Sequence, residues 1–243
     1  GTGKSTLVNA LVGAEVVRAG RERPTTRRPT FVGRTDLTPE QLGIDSNTVD
    51  VVSRDLPALR DLVLIDCPDP DTTEDAESRG TNLARLREIL PHCDVLLVTT
   101  TQQKYRSARV LDELAAAAPG ARLVFVVTHA DTDADVRDDW RAVLAKDYEP
   151  GEIFFVDSLA ALADAEGGLA PRGEFARLVD LLTRQLAGAA GNRIRRANFL
   201  DLTHETLAAC RTRLNAARAA LGAVEEALVE QRGRLAGTLA GRM

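Results

Sequence analysis

The chain has 243 residues, enough for one or two domains and for a substantial buried core. Hydrophobic residues make up 44% and charged residues 28%, which is typical of soluble globular proteins and excludes collagenous, disordered and disulfide-rich classes. The formal net charge of −5 argues against a nucleic-acid partner, because phosphate neutralisation needs clustered positive charge. No apolar run approaches the roughly 18 residues that a membrane-spanning helix needs.

The three cysteines, Cys67, Cys93 and Cys210, lie far apart and form neither a CxxC pair nor a Cys/His metal pattern. Buried or chemically idle thiols in a reducing compartment fit this spacing. We therefore expect a cytoplasmic protein.

Up to about residue 187 the sequence alternates between helical patterns and short apolar runs. This alternation is typical of an α/β fold in which helices cover both faces of a doubly wound, mostly parallel sheet. Residues 34–60 are polar and harder to interpret, and residues 49–53 are a candidate edge strand. Helices are predicted near residues 5–12, 81–90, 107–118, 133–146 and 173–187, and buried strands at 62–66, 94–99, 122–128 and 153–157.

From about residue 192 one long helix is predicted in which leucine recurs at every seventh position, a coiled-coil-like period. The positions three residues further on are mostly small or polar, which weakens a dimeric zipper. Three arrangements remain open: a helical bundle or stalk completed by residues outside this sequence, an intermolecular coiled coil, and packing against the α/β domain. The repeating residues are Leu200, Leu207, Leu214, Leu221, Leu228 and Leu235.

The chain opens on a glycine-rich loop, GTGKST, directly before an amphipathic helix. In such a loop backbone N–H groups face phosphate oxygens, the lysine reaches the β and γ phosphates, and the next hydroxyl coordinates Mg²⁺. Because this loop normally follows a buried strand, we expect the first strand of the domain to precede residue 1. We assign nucleotide binding to Gly1, Thr2, Gly3, Lys4, Ser5 and Thr6, with Lys4 also catalytic and Ser5 a magnesium ligand.

A second magnesium-binding group is predicted at the end of an apolar strand. The run Leu62-Val63-Leu64-Ile65 precedes Asp66 and delivers its carboxylate to the end of the sheet where ligands of α/β proteins bind. We assign Asp66 to the metal; the alternative is a strand-end aspartate that caps the next turn.

A phosphate-binding loop and an acidic strand do not identify the base. Guanine recognition requires a carboxylate that accepts hydrogen bonds from N1 and the exocyclic amine. The segment Thr128-His129-Ala130-Asp131, which follows a predicted strand, offers one.

The order of GKST, a threonine-rich loop, Asp66-Cys67-Pro68-Asp69 and Thr128-His129-Ala130-Asp131 resembles the translation-factor-related class of P-loop GTPases. Within that class, GKSTLVNALVG followed by RPTTRRPT at residues 23–30 is most similar to bacterial dynamin-like GTPases. The resemblance covers roughly residues 1–160 by motif order. It implies GTP as substrate, Mg²⁺ as cofactor, self-association through the GTPase domain or the C-terminal helix, and possible peripheral contact with a membrane through parts outside this sequence.

The resemblance also implies roles for single residues. Thr26, or its neighbour Thr25, would be the switch I threonine that meets Mg²⁺ and water; a plain solvated turn is the alternative. Asp131 would read guanine beside Thr128, and His129 stands where the family usually has a lysine over the base. Ser158 lies where the family has its last guanine-contacting loop, and a helix N-cap is an equal alternative.

The sequence departs from the family at switch II, where Asp-x-x-Gly becomes Asp66-Cys67-Pro68-Asp69 and no glutamine follows nearby. The leading hypothesis is a GTPase stimulated by self-association. A switch or scaffold that binds GTP with little hydrolysis, and an ATP-dependent P-loop protein, are the alternatives. The predicted domains are a P-loop GTPase domain at residues 1–188 and a helical, coiled-coil-like segment at residues 189–243.

Overall fold

The computed structural model describes residues 2–19, 28–69, 81–106, 121–146, 150–185 and 188–240. The chain divides into two compact units, residues 1–198 and residues 199–243. No helix among the described residues is long and apolar enough to cross a membrane.

The described part of the first unit consists of short strands and helices in an α/β arrangement. The strands are β1 (Thr30–Gly33), β2 (Asp50–Ser53), β3 (Leu64–Asp66), β4 (Val95–Thr100), β5 (Arg122–Val127) and β6 (Ile153–Phe155). The helices are α1 (Lys4–Val12), α2 (Asn82–Ile89), α3 (Arg137–Leu144), α4 (Ser158–Glu166) and α5 (Gly173–Asp180), and a π-type turn at Leu181–Gln185 follows α5. Helix α6 (Gly188–Ala240) begins in the first unit and runs through the second.

The strands form two three-stranded sheets. In the first, the order is β2-β1-β3, with β1 parallel to β2 and antiparallel to β3. In the second, β4-β5-β6, every pair is parallel. The prediction of a mostly parallel sheet is therefore confirmed.

The second sheet is covered by helices on both faces. On one face Phe125 and Val127 pack with side chains of α2 and α3, and the rings of Phe125 and Trp140 meet edge to face with centroids 5.4 Å apart. On the other face Val124 and Val126 pack with α1 and α5. Burial on both sides explains why these strands are almost continuously apolar in sequence.

A cavity of about 800 Å³ lies between the two sheets. It is lined by β3, an edge strand of the first sheet, by β4, an edge strand of the second, and by Leu7 and Val8 of α1. Each of the two strands therefore directs an edge toward this mainly apolar space.

Two elements were not predicted. Strand β1 buries Phe31 and Val32 completely, but it is only four residues long and polar residues flank it. Helix α4 begins at Ser158, where the resemblance implied a guanine-contacting loop and the alternative was a helix N-cap; the helix itself was not among the predicted elements. The helix predicted at residues 107–118 lies outside the described residues.

The second unit contains the C-terminal part of α6. Its side chains at the seven-residue leucine positions are 60–69% exposed. The predicted long helix is confirmed, and its leucine stripe faces solvent.

Candidate functional site

The site is built where α1 begins. Gly3 precedes α1 with φ 70° and ψ 14°, a left-handed conformation that glycine adopts without strain. A Cβ atom at this position would lie 3.2 Å from Thr128 Oγ1 and 3.4 Å from His129 Cε1. The left-handed conformation favours glycine at this position. The close approach favours it too, because the phosphate-binding loop lies directly against the loop that follows β5.

Thr128 joins the phosphate-binding loop to the second sheet. Its side chain is only 1% exposed, and its Oγ1 lies 3.0 Å from the carbonyl oxygen of Thr2 and 3.1 Å from that of Thr100. Residues separated by 126 positions are thereby brought together. The Thr128 hydroxyl therefore lies within hydrogen-bonding distance of two backbone carbonyls, one in the phosphate-binding loop and one at the end of β4.

Two of the three predicted magnesium ligands, Ser5 and Asp66, lie next to each other. Ser5 Oγ donates a hydrogen bond of 2.6 Å to Asp66 Oδ2, and Asp66 at the end of β3 is 2% exposed. Hydroxyl and carboxylate oxygens are the ligands that Mg²⁺ prefers. The described residues contain no cluster of three or more His, Cys, Asp or Glu.

Lys4, the lysine of the loop, forms a close ion pair with Asp69 Oδ1. Its Nζ also donates a 3.2 Å hydrogen bond to Thr2 Oγ1, which in turn lies 3.3 Å from Asp69 Oδ1. Lys104 approaches from the other side, with its Nζ 3.9 Å from Asp69 Oδ2. Burial raises the pKa of the Asp69 carboxyl, but the two lysines and the Thr2 hydroxyl outweigh it and lower that pKa below its ordinary value.

The loop after β5 forms a tight turn. His129 has φ 61°, and its carbonyl oxygen accepts hydrogen bonds from Thr132 N at 3.1 Å and Asp133 N at 2.8 Å. Non-glycine residues rarely adopt a left-handed conformation, and it costs on the order of 1 kcal/mol when they do. Asp131, within this turn, is exposed to solvent.

Ser158 is the first residue of α4 and is 5% exposed, and its Oγ has no hydrogen-bond partner among the residues that the structure describes. The alternative that Ser158 caps α4 was wrong. Asp157 is the N-cap, because its side chain accepts a 2.9 Å hydrogen bond from Ala160 N.

The polar segment that follows β4, residues 101–106, contacts the turn after β5. The backbone N–H of Gln102 donates to Asp133 Oδ2 at 3.2 Å, and the side-chain oxygen of Gln102 accepts from Ala134 N at 3.1 Å. Through Gln102 and Lys104 this segment contacts both the turn after β5 and Asp69.

Some predicted site residues lie outside the described part of the chain. Gly1 and the switch I candidates Thr25 and Thr26 belong to this group. Arg28, from the same RPTTRRPT run, is described, and its side chain pairs with Asp50 at 3.5 Å and with the carbonyl oxygen of Val49 at 3.3 Å. Arg28 therefore contacts β2, an edge strand of the first sheet, and the residue just before it.

Two asparagines that support the site were not predicted. Asn9 is 1% exposed; its Oδ1 accepts from the backbone N–H groups of Val16 and Val17, and its Nδ2 donates to the carbonyl oxygen of Val17. Asn82 donates from Nδ2 to the carbonyl oxygen of Asp69 at 3.0 Å. A polar residue on the apolar face of α1 was the one sequence signal available for Asn9.

The family model described as 50S ribosome-binding GTPase matches residues 1–129, which is more than half of the chain and includes Lys4, Asp66 and Thr128. No curated protein matches this sequence.

Proposed function

Because the chain belongs to the 50S ribosome-binding GTPase family, we propose that it binds GTP with Mg²⁺ and hydrolyses it to GDP and phosphate. The observation that carries the proposal is the 2.6 Å contact between Ser5 and Asp66, beside a lysine at the start of α1. A hydroxyl, a buried carboxylate and a lysine at a helix N-terminus form the group that nucleotide phosphates and Mg²⁺ require.

In this proposal the backbone of residues 1–6 surrounds the phosphates. The Lys4 ammonium group neutralises the charge that develops on the γ-phosphate as water attacks in line. Ser5 and Asp66 would hold Mg²⁺, which when bound neutralises phosphate charge and orients the β and γ phosphates. Thr26 is proposed as the switch I threonine at the same metal.

Guanine recognition is proposed for the turn after β5. Asp131 is exposed at this turn, and its carboxylate would accept from both N–H donors of the guanine edge. His129 and Thr128 flank it, and the His129 ring would lie against the base. Ser158 would contribute from the start of α4, where its buried hydroxyl has no partner among the described residues.

The selectivity of this turn is testable with one substitution and a matched control. Asp131→Asn should lower GTP affinity about a hundredfold, because one acceptor oxygen becomes an N–H donor facing the guanine donors. The control is Asp133→Asn, since Asp133 lies in the same turn but its carboxylate accepts from the backbone of Gln102. Calorimetric titration measures the affinity of each variant for GTP and for ATP. Equal GTP affinity for Asp131→Asn and the unmodified chain would contradict the assignment.

A specific observation favours a second function, GTP binding with little hydrolysis. Asp69 stands where the resembling GTPases have the switch II glycine, and its carboxylate is paired with Lys4. Single-turnover hydrolysis at saturating enzyme separates the two functions, because a switch or scaffold would retain GTP over many minutes. An ATP-dependent protein, the third candidate, would bind ATP as tightly as GTP.

The proposed organisation is a GTPase domain at residues 1–188 followed by a coiled-coil-like helix at residues 189–243. Dynamin-like self-association, a cytoplasmic location and peripheral membrane contact complete the proposal. The exposed leucine stripe of α6 supports self-association, because a repeating apolar stripe is the surface that helices bury against each other.

A further inference from the structure

Asp69 lies at the centre of the candidate site, in contact with Lys4, Thr2 and Lys104. It lies three residues after the proposed metal ligand Asp66, and the backbone carbonyl of Asp69 accepts a 3.0 Å hydrogen bond from Asn82. The side chain turns toward the phosphate-binding loop, where it meets Lys4 and Thr2. Asp69 is therefore held by interactions of both its backbone carbonyl and its side-chain carboxylate.

The groups around the carboxylate are the groups that a nucleotide would use. Lys4 Nζ is the cation that reaches the β and γ phosphates in loops of this type. A carboxylate presents two anionic oxygens, so its recognition by an ammonium group and a hydroxyl matches that of a terminal phosphate. Asp69 and a γ-phosphate are therefore competing ligands of one lysine.

Asp69 should compete for Lys4 more strongly against GTP than against GDP. A triphosphate adds charge beside Asp69, and like charges brought close together are destabilising. A diphosphate carries one phosphate fewer, so it should bring less negative charge to this carboxylate and compete less for Lys4. The Asp69 side chain is 42% exposed, so water lowers the repulsion without removing it.

We propose that Asp69 is a specificity-determining residue that lowers the affinity of the site for GTP relative to GDP by competing with the γ-phosphate for Lys4. This inference rests on the proposed function, since it assumes that guanine nucleotides bind at the loop. Lys104, 3.9 Å from the other carboxylate oxygen, is placed to receive Asp69 when a triphosphate takes Lys4. Asp69 thereby shifts the preference of the site toward the diphosphate.

The test compares Asp69→Asn and Asp69→Gly with the unmodified chain. Asn keeps the size of the side chain and removes its charge, while Gly removes the side chain. Asp36→Asn is the matched control, because it removes the same charge from an ion pair with Arg34 at an exposed position. Thermal melting establishes that each variant is folded.

The measurement is calorimetric affinity for GDP and for a non-hydrolysable GTP analogue, both with Mg²⁺. Removing the Asp69 charge should tighten binding of the analogue about five- to fiftyfold, as expected for a released ion pair and relieved charge repulsion. Binding of GDP should change less than about threefold, and Asp36→Asn should change neither.

Two results would overturn the inference. If the ratio of the two affinities is the same in Asp69→Asn and the unmodified chain, Asp69 does not select between phosphate states, although the proposed function stands. If no form of the chain binds either nucleotide, the proposed function fails and the inference fails with it.

Discussion

Ser5 Oγ lies 2.6 Å from the buried carboxylate of Asp66 at the end of β3. Both residues were assigned to one magnesium site, Ser5 from the phosphate-binding motif and Asp66 from its place at the end of an apolar strand. Their types are restricted because few side chains can hold a hard cation beside a triphosphate. The pairing of Asp69 with Lys4 was not predicted, since it joins residues 65 positions apart and follows no motif. The side-chain hydroxyl of Thr128 likewise could not be placed without the fold.

At the residue scale, Ser5→Ala should weaken the dependence of GTP binding on Mg²⁺. Loss of one metal-contacting oxygen is expected to reduce the gain in affinity on adding Mg²⁺ about tenfold or more. Titrations of GTP with and without Mg²⁺ measure that gain, and the values obtained with a chelator are the internal control. An unchanged gain would show that the Ser5 hydroxyl is not a ligand.

At the element scale, α1 and strands β3 to β6 were predicted because each is a buried apolar run or an amphipathic helix. The missed strand β1 is too short for a periodicity to be visible, and only its pairing with β2 and β3 defines it. Asn9 illustrates the same limit. Its three hydrogen bonds to Val16 and Val17 tie the segment after α1 to that helix, a tertiary contact that no spacing rule reveals.

Replacing Asn9 with alanine should lower the free energy of unfolding by about 2 kcal/mol, since buried backbone groups of Val16 and Val17 lose their partners. Urea denaturation followed by circular dichroism measures the change. Asn47→Ala is the control because Asn47 is exposed in a surface turn, and we expect a change below about 0.5 kcal/mol there. A loss at Asn9 no larger than that of the control would contradict the role of Asn9.

At the scale of the whole molecule, the heptad of leucines predicted a long helix but did not identify what it packs against. Helix α6 is present, and its leucines are 60–69% exposed. A seven-residue period describes a stripe, and the same stripe suits a bundle and an intermolecular coiled coil. Measuring whether the chain associates in solution therefore shows whether a second copy covers the leucine stripe.

We expect the unmodified chain to sediment as a dimer or larger species and Leu214→Glu to shift it to the monomer, because a charge in a leucine stripe opposes its burial. Ala216→Glu adds the same charge at an exposed position about 200° around the helix and is the control. Sedimentation velocity over a range of concentrations distinguishes the species. Identical profiles for the two variants would exclude the stripe as the interface.

The central claim, a guanine-nucleotide site formed by the loop before α1 and the turn after β5, is tested most directly by titrating the chain with GTP, GDP and ATP in the presence of Mg²⁺. The account predicts that a guanine nucleotide binds at least about tenfold more tightly than ATP, because Asp131 pairs with donors that adenine lacks. Equal affinities for GTP, GDP and ATP, or no binding of any of them, would contradict it.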